Sequence, residues 1–315
     1  MEHTTCNLCG NTKAVPIISD LPDFLLQRKE VSTTLVKCVS CGLVYQNPRP
    51  TFVEMTTHYP PDYQSYTPEP DAKNSSWLLR QAFQYGIAKR CRYVTRYKRA
   101  GRLLDVGCAT GIFLQGIRNS GNWEPYGVEL NEHAAHIAQE HGFDVRLGTL
   151  EQAGFADEFF DVVTLWDVLE HLHNPAGSLR EIYRILKPDG LLVIRVPNAS
   201  SWDSRLFGRF WAGLDSPRHL YVFTPITLDA LLTATHFQSI AQSSQIGAYP
   251  TFLLSLRFWS AAKDKPSTAR DFLIKFLHHP VMRLLLAPLF YLRGIGLRGP
   301  SVVAAAKKCA RIKND

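Results

Sequence analysis

The stretch from Leu103 to Gly111, LLDVGCATG, followed one βα unit later by Tyr126-Gly127-Val128-Glu129, constrains this chain more than any other part of it. Leu103, Leu104 and Val106 form a short apolar run bounded by Gly101 and Gly107, which suits a buried parallel strand, and Ile112 to Asn119 reads as the helix after it. The glycine turn therefore sits at the carboxyl end of a strand, where open α/β sheets collect ligands. Gly107 and Gly111 lack a Cβ, so the backbone can take positive φ and amides at the helix start can approach a ligand. Glu129 stands twenty-two residues after Gly107, near the roughly 20-residue offset at which a carboxylate meets a ribose diol in doubly wound folds. The spacing Asp105-x-Gly107-x3-Gly111 is wider than G-x-G-x-x-G and opens with a carboxylate. A pyrophosphate would be repelled by Asp105, whereas an ammonium would be held by it, directly or through water. The pairing predicts a nucleotide-shaped ligand with a free ribose diol, and hence a cofactor-dependent enzyme.

From Leu103 to about Asn198 the chain resembles the core of the class I methyltransferases that depend on S-adenosyl-L-methionine (SAM). Besides the loop and Glu129, the run FDVVTLWDVLEHLHNPAGSLREIYRILKPDGLLVIRVPN, Phe160 to Asn198, is similar to the family's fourth strand, following helix and fifth strand. The resemblance implies an α/β fold, a Rossmann-like doubly wound sheet of seven strands. It implies that Asp105, Gly107, Cys108 and Gly111 wrap the methionine part of SAM and that Glu129, followed by Leu130, binds the ribose. Thr149 and Leu150 would flank the adenine, and Asp167 would touch the cofactor from the end of the fourth strand. Many relatives carry Asp where Thr149 stands, so adenine N6 falls to the backbone or to Glu151. The Cys108 side chain is assigned to packing, with any cofactor contact left to its backbone.

At 315 residues and 45% hydrophobic content the chain is long and apolar enough for such a core plus extra modules. Met1 to Cys9 is polar and has no signal-peptide apolar region, so a cytoplasmic protein is expected. In that compartment seven cysteines argue for thiols or metal ligands. Cys6-x2-Cys9 and Cys38-x2-Cys41 are each followed by Gly, at Gly10 and Gly42, the pattern of two knuckles that close a four-thiolate zinc site. A closed site leaves no place for water, so the zinc would be structural. Cys91, Cys108 and Cys309 have no partner at ligand spacing.

A proline-punctuated linker with Tyr59, Tyr63 and Tyr66 leads to a helix near Ser75 to Arg99, with Ser75 or Ser76 as cap and Leu78, Leu79, Ala82, Tyr85, Ile87 and Ala88 on its apolar side. Such a helix covers the cofactor in similar proteins, which would let Tyr59 and Tyr63 close over the SAM carboxylate. Ser216-Pro217-Arg218-His219 is a polar turn before the strand-like Leu220 to Phe223. In resembling methyltransferases this element faces the acceptor, and His219 is the candidate general base. Thr224-Pro225 reads as the cap and first residue of a helix over 225–234. Asp167, Glu170 and His171 form a second polar set, with Glu170 and His171 opening the next helix. In similar O-methyltransferases of ubiquinone biosynthesis, residues at matching positions can hold a divalent ion, but structural hydrogen bonds are the expected role here.

The net charge of +7 is concentrated in the tail: residues 251–315 hold twelve Lys or Arg against three Asp or Glu. Apolar runs with scattered basic residues over 251–298, broken by Lys263-Asp264-Lys265-Pro266, suit helices lying on a membrane surface, or helices packed on the domain or a second subunit. No run reaches the length of a spanning helix. Ser301 to Lys308 resembles the last strand of the methyltransferase sheet, which makes 246–300 a helical insertion. The organisation expected is a zinc ribbon (1–50), linker and lead helix (51–100), SAM-binding core (101–245), basic apolar insertion (246–300), and final strand and tail (301–315). Ribbon and core together resemble sugar-modifying enzymes, including C-methyltransferases of nucleotide-linked deoxysugars. The expected activity is methyl transfer to a small-molecule or glycan acceptor, lipid-linked or free, with O-methylation favoured, by a cytoplasmic or peripheral membrane protein. Ribosomal RNA methyltransferases also carry four-cysteine ribbons, but residues 1–50 are not strongly basic, so nucleic acid fits less well. A non-catalytic zinc-ribbon interaction protein is the remaining alternative.

Overall fold

The computed structural model describes residues 1–59, 77–244, 248–262, 272, 274–277 and 279–309. Apolar runs become the inner strands of a seven-stranded sheet: β4 (Ala100–Val106), β5 (Asn122–Glu129), β6 (Asp144–Leu147), β7 (Phe160–Trp166), β8 (Leu186–Pro197), β10 (Phe237–Ser243) and β11 (Ser301–Lys308). Their order is β10-β11-β8-β7-β4-β5-β6. Strands β6, β5, β4, β7 and β8 run parallel, and β11 lies antiparallel between β8 and β10. Leu103, Leu104, Val162, Val163, Val193 and Ile194 are fully buried, as strands covered on both faces must be.

Helices α2 (Trp77–Thr95), α3 (Ile112–Arg118), α4 (Glu132–Glu140), α5 (Pro175–Ile185) and α7 (Pro225–Ala234) flank this sheet. Thr224 caps α7 with a reciprocal bond to Thr227, and Pro225 occupies its first turn. The lead helix buries Cys91 and Val94 and half-buries Ile87, whereas Tyr85 and Ala88 are exposed, so the packed stripe lies further along than expected. Its partner sets that face. A Cβ on Gly116 of α3 would come within 2.6 Å of Ile87 Cγ2 and 3.1 Å of Cys91 Sγ, so the two helices meet at the glycine. Ser75 and Ser76, Pro60 to Tyr66 and Lys263 to Pro266 lie outside the described residues, as do the side chains of Leu78 and Leu79.

The N-terminal segment forms a second, antiparallel sheet from β1 (Ala14–Asp23), β2 (Arg28–Cys38) and β3 (Val44–Gln46). Its fourth strand, β9 (Tyr221–Val222), comes from the far side of the chain, with Val44 opposite Val222 and Tyr45 opposite Tyr221. The expected strand near Leu220 is thus present, but it serves this sheet. Cys6, Val36, Cys38, Leu43 and Tyr45 share one buried cluster with Leu220, Phe223 and the inner face of the large sheet. Glu170 and His171 do not open a helix. They lie on a single 3-10 turn, Leu169–His171, and α5 begins at Pro175, where the Asn174 side chain accepts from Gly177 N at 3.0 Å and proline has no N–H that needs an acceptor.

Between β10 and β11 stand α8 (Ala248–Ala261) and α9 (Pro280–Arg293). The short helix α6 (Trp202–Phe207) packs on α8, and another short helix, α1 (Phe52–Met55), follows β3 in the chain. Among the described residues no helix is long and apolar enough to cross a membrane.

Candidate active site

A cleft of about 2410 Å³ opens at the carboxyl ends of β4, β5 and β7. It is lined by Asp105, Gly107, Cys108, Glu129, Leu130, Thr149, Leu150 and Asp167, so eight of the residues singled out in the sequence meet in one place. Gly107 and Gly111 take φ of +71° and +80°. A Cβ on Gly107 would also strike Val168 Cγ2 at 2.7 Å, so only glycine permits this turn.

The loop does not present the row of free amides that the glycines suggested. Gly107 N and Cys108 N both donate to Val128 O, at 2.8 and 3.2 Å, and Gly111 N donates to Cys108 O at 3.0 Å. Ala109 N donates to Glu129 Oε2 at 2.9 Å. With these donors spent internally, the loop is a poor anion cradle. The Cys108 thiol is buried, and a Cβ on Gly127 would come within 2.5 Å of its sulfur, so the side chain packs against β5.

Two buried carboxylates face this space. Asp105 accepts from Thr164 Oγ1 at 2.6 Å; burial pushes its pKa up to about 7, against the opposing pull of that bond and of Arg90. Glu129 accepts from Asn131 N at 2.8 Å as well as from Ala109, and burial raises it too. Each of its oxygens keeps a second lone pair for a ligand hydroxyl. Opposite, Asp167 sits at φ +59° and pairs with Arg195 at 3.0 Å and Arg90 at 4.0 Å. Two guanidiniums on one carboxylate leave positive charge to spare, and both arginines line the cleft. Acid at Asp105 and base at Arg90 and Arg195 match an amino acid's ammonium and carboxylate. Thr149 is tied to Gln152 by reciprocal bonds of 3.0 and 3.3 Å, and Glu151 accepts from Ser178 at 2.6 Å.

Neither arginine was picked out from the sequence. Arg90 interrupts the buried stripe Ile87, Cys91, Val94 on α2, and a charge on such a stripe was the available signal. Arg195 follows a run of buried β8 residues and carried a similar one.

His219 does not meet the cleft. Its ring is 8% exposed and Nδ1 donates to Gly213 O at 2.9 Å, with Nε2 3.9 Å from Asp215 and 4.0 Å from Glu170. The imidazoles on the cleft wall are His171 and His173, and the His171 ring centre lies 4.5 Å from that of His219. The preceding turn explains the placement. Arg218 is buried in a bidentate pair with Asp23, both bonds 2.8 Å, and a second pair with Asp215, which draws the Pro217-Arg218-His219 turn inward. His171 Nδ1 lies 3.0 Å from Arg218 O and 2.9 Å from the Tyr59 hydroxyl. Since a carbonyl can only accept, Nδ1 carries the proton. Burial, then the neighbouring His219, pushes the His171 pKa down to about 3, so the ring is neutral near pH 7. Glu170 is fully buried and among the described residues neither carboxyl oxygen has a hydrogen-bond partner; burial raises its pKa well above the carboxylate range. With His171 and His219 it forms a three-ligand group whose ligand atoms lie within 4.8 Å of one another.

The four ribbon cysteines converge as their spacing predicted. Cys6 Sγ and Cys41 Sγ are 3.4 Å apart, Cys9 Sγ and Cys38 Sγ 3.5 Å, and all four lie within 4.8 Å of one another. A tetrahedron with Zn–S of about 2.3 Å has edges of about 3.8 Å, so the thiols fit a zinc ion. Gly10 and Gly42 hold φ of +73° and +75° at the knuckle turns.

Sheet order, reversed last strand and paired carboxylates at the ends of β4 and β5 define a class I SAM-dependent methyltransferase domain. Residues 78–242, more than half of the chain, match the family described as "Methyltransferase domain", and the chain belongs to it. The ubiquinone biosynthesis O-methyltransferase of Alkalilimnicola ehrlichii is 31% identical over 104 residues, 31% of this chain and 42% of that protein. The malonyl-[acyl-carrier protein] O-methyltransferase of Serratia marcescens is 25% identical over 184 residues, 58% of this chain and 71% of that one. The chain therefore spans less than half the length of the ubiquinone-pathway relative. A SAM-dependent methyltransferase from Archaeoglobus fulgidus superposes with a TM-score of 0.49 at 23% identity, over 71% of this chain and 94% of that one.

Proposed function

We propose that this protein transfers a methyl group from SAM to a hydroxyl of a small-molecule or glycan acceptor. The observation that carries the reading is the pair of buried carboxylates, Asp105 and Glu129, on one cleft whose glycine loop has turned its N–H groups inward. In it Glu129 binds the ribose diol, Asp105 holds the ammonium, and Arg90 and Arg195 take the carboxylate. SAM supplies an electrophilic methyl on a sulfonium, so the residues need mainly to align the acceptor and exclude water. An acceptor hydroxyl must lose its proton, and His171 on the cleft wall, neutral and with Nδ1 committed to Arg218 O, offers Nε2 for it. The His219 ring packs edge-on behind it, 4.5 Å away. The O-methyltransferase names of both relatives support oxygen as the acceptor atom. A glycan acceptor rests on the joining of ribbon and core within one chain. Zinc on Cys6, Cys9, Cys38 and Cys41 is structural in this proposal.

Calorimetric titration of SAM tests the reading, because a non-catalytic ribbon protein would give no heat. Glu129→Ala should weaken SAM about 10- to 100-fold, the range for losing a charged hydrogen-bond acceptor. His171→Ala should keep SAM affinity and lower turnover at least about 100-fold, measured as labelled methyl transferred into a cell extract; unchanged turnover would remove His171 from the mechanism.

Affinity for SAM should also depend on pH. Asp105, at about 7, is mostly protonated at pH 6 in the free protein. An ammonium requires the carboxylate, so binding below that pKa must release the proton. Affinity should rise by up to tenfold per unit as pH climbs from 6 towards 7 and level off above 8. Asp105→Asn should bind weakly at every pH; a flat wild-type profile would show that Asp105 does not hold the ammonium.

A further inference from the structure

We infer that the outer faces of α9 and α6 dock this protein on an anionic lipid bilayer, from which an acceptor with an apolar tail enters the cleft. The acceptor half of this inference rests on the methyl-transfer reading; the docking half does not. Helix α9 touches α8 mainly through Phe290, whose ring lies 5.0 Å from Tyr249 and 5.3 Å from Phe252. Its other faces are left in water: Leu284, Leu285, Leu289 and Leu292 are each more than half exposed, and Leu284 reaches 76%. A ridge of this kind is rare on a soluble monomer and marks a surface that is covered in use.

The charges select the covering. Residues 280–300 carry Arg283, Arg293 and Arg298 and no Asp or Glu. Asp203 of α6, the acid facing this helix, is buried and already paired with Arg293 at 3.2 Å. That contact, with Arg298 stacked 5.4 Å from the Trp202 ring, joins α6 to the ridge, and α6 adds exposed Trp202, Arg205 and Leu206. Aliphatic side chains edged by tryptophan and arginine match the acyl and phosphate layers of a bilayer surface. A second copy on the same face would set Arg283 and Arg298 against their own counterparts, with no acid on residues 280–300 to lie between them. Fourteen residues make a helix of about 21 Å, too short to span the apolar core, so α9 would lie in the surface plane.

The ridge also borders the cleft. Leu284, Ala287, Pro288 and Tyr291 of α9 line it, together with Pro250 and Thr251 of α8. A molecule with a polar head and an apolar tail could thus reach the cofactor side with its tail still along α9.

Flotation of the full chain with vesicles tests the docking. It should float with phosphatidylcholine vesicles containing phosphatidylglycerol, with binding on the order of a hundredfold tighter than to phosphatidylcholine alone, and high salt should weaken it. The double variant Leu285→Asp, Leu289→Asp, neither residue lining the cleft, should lose flotation and keep the wild-type SAM affinity. Equal binding to neutral vesicles, no flotation, or a dimer in sedimentation that the double variant dissociates would each overturn the proposal. Flotation without SAM binding would sink the methyl-transfer reading alone.

Discussion

Arg218→Met should lower the free energy of unfolding by about 3–5 kcal/mol, the cost of breaking a buried ion pair from one side. Arg218 is 0% exposed and holds Asp23, also 0% exposed, through two bonds of 2.8 Å, and Asp215 through two more. Burial alone would make the guanidinium easier to deprotonate, but the bonds from Asp23 and Asp215 outweigh it and raise its pKa. Removing it strands the Asp23 carboxylate where water cannot reach it and takes two bonds from Asp215, which is 12% exposed. Arg184 offers the contrast. It pairs with Glu181 and Asp157 at the surface, 37% exposed, and Arg184→Met should cost no more than about 1 kcal/mol. Denaturant midpoints of the two variants, with slopes compared, measure the difference, and Arg218→Met Asp23→Leu should recover part of the loss. A cost below that of Arg184→Met would mean that water enters and the pair is not buried in solution.

The same pair explains why part of the site was hidden in the sequence. Asp23 and Arg218 are 195 positions apart, and nothing local to either announces the other. The cofactor loop was legible because its requirements are local: positive φ at Gly107 and Gly111, an apolar strand before them, a carboxylate one βα unit later. The four cysteines were legible for the same reason, since knuckle spacing is a local property. His219 was expected to face the acceptor because the matching element does so in resembling methyltransferases. The inward pull of Asp23 on Arg218 turns it behind His171, and that pull comes from β1. The strand near Leu220 was recognised while its sheet was not, because β3 and β9 pair across most of the chain. Arg90 and Arg195 entered through a charge pairing with Asp167 that three separate elements create. What a residue does within its own turn could be read; which distant element it answers to could not.

Withdrawing the zinc proposed for Cys6, Cys9, Cys38 and Cys41 should have the widest consequences. In isolated zinc-finger peptides metal binding supplies apparent free energies of about 10–16 kcal/mol, and the peptide unfolds without it. Here the sheet that carries Cys38 shares its core with the methyltransferase domain, so complete unfolding is not expected. Cys38→Ser, or chelation of the wild type, should remove hydrogen-exchange protection from β1, β2 and β3 and leave β4, β7 and β8 protected. The loss has two routes inward. Val44 and Tyr45 hold β9 in register, and Asp23 at the end of β1 holds Arg218, whose carbonyl fixes His171. Asp105 and Glu129 stand on the other sheet and touch neither route. Metal-depleted protein should therefore bind SAM with close to wild-type affinity while its turnover falls about 100-fold, the size of a displaced general base. Loss of SAM binding in step with turnover would instead mean that the ribbon supports the whole sheet. Protection of β1 to β3 unchanged by metal would show that the shared core suffices to hold them, and the four cysteines would then need another explanation.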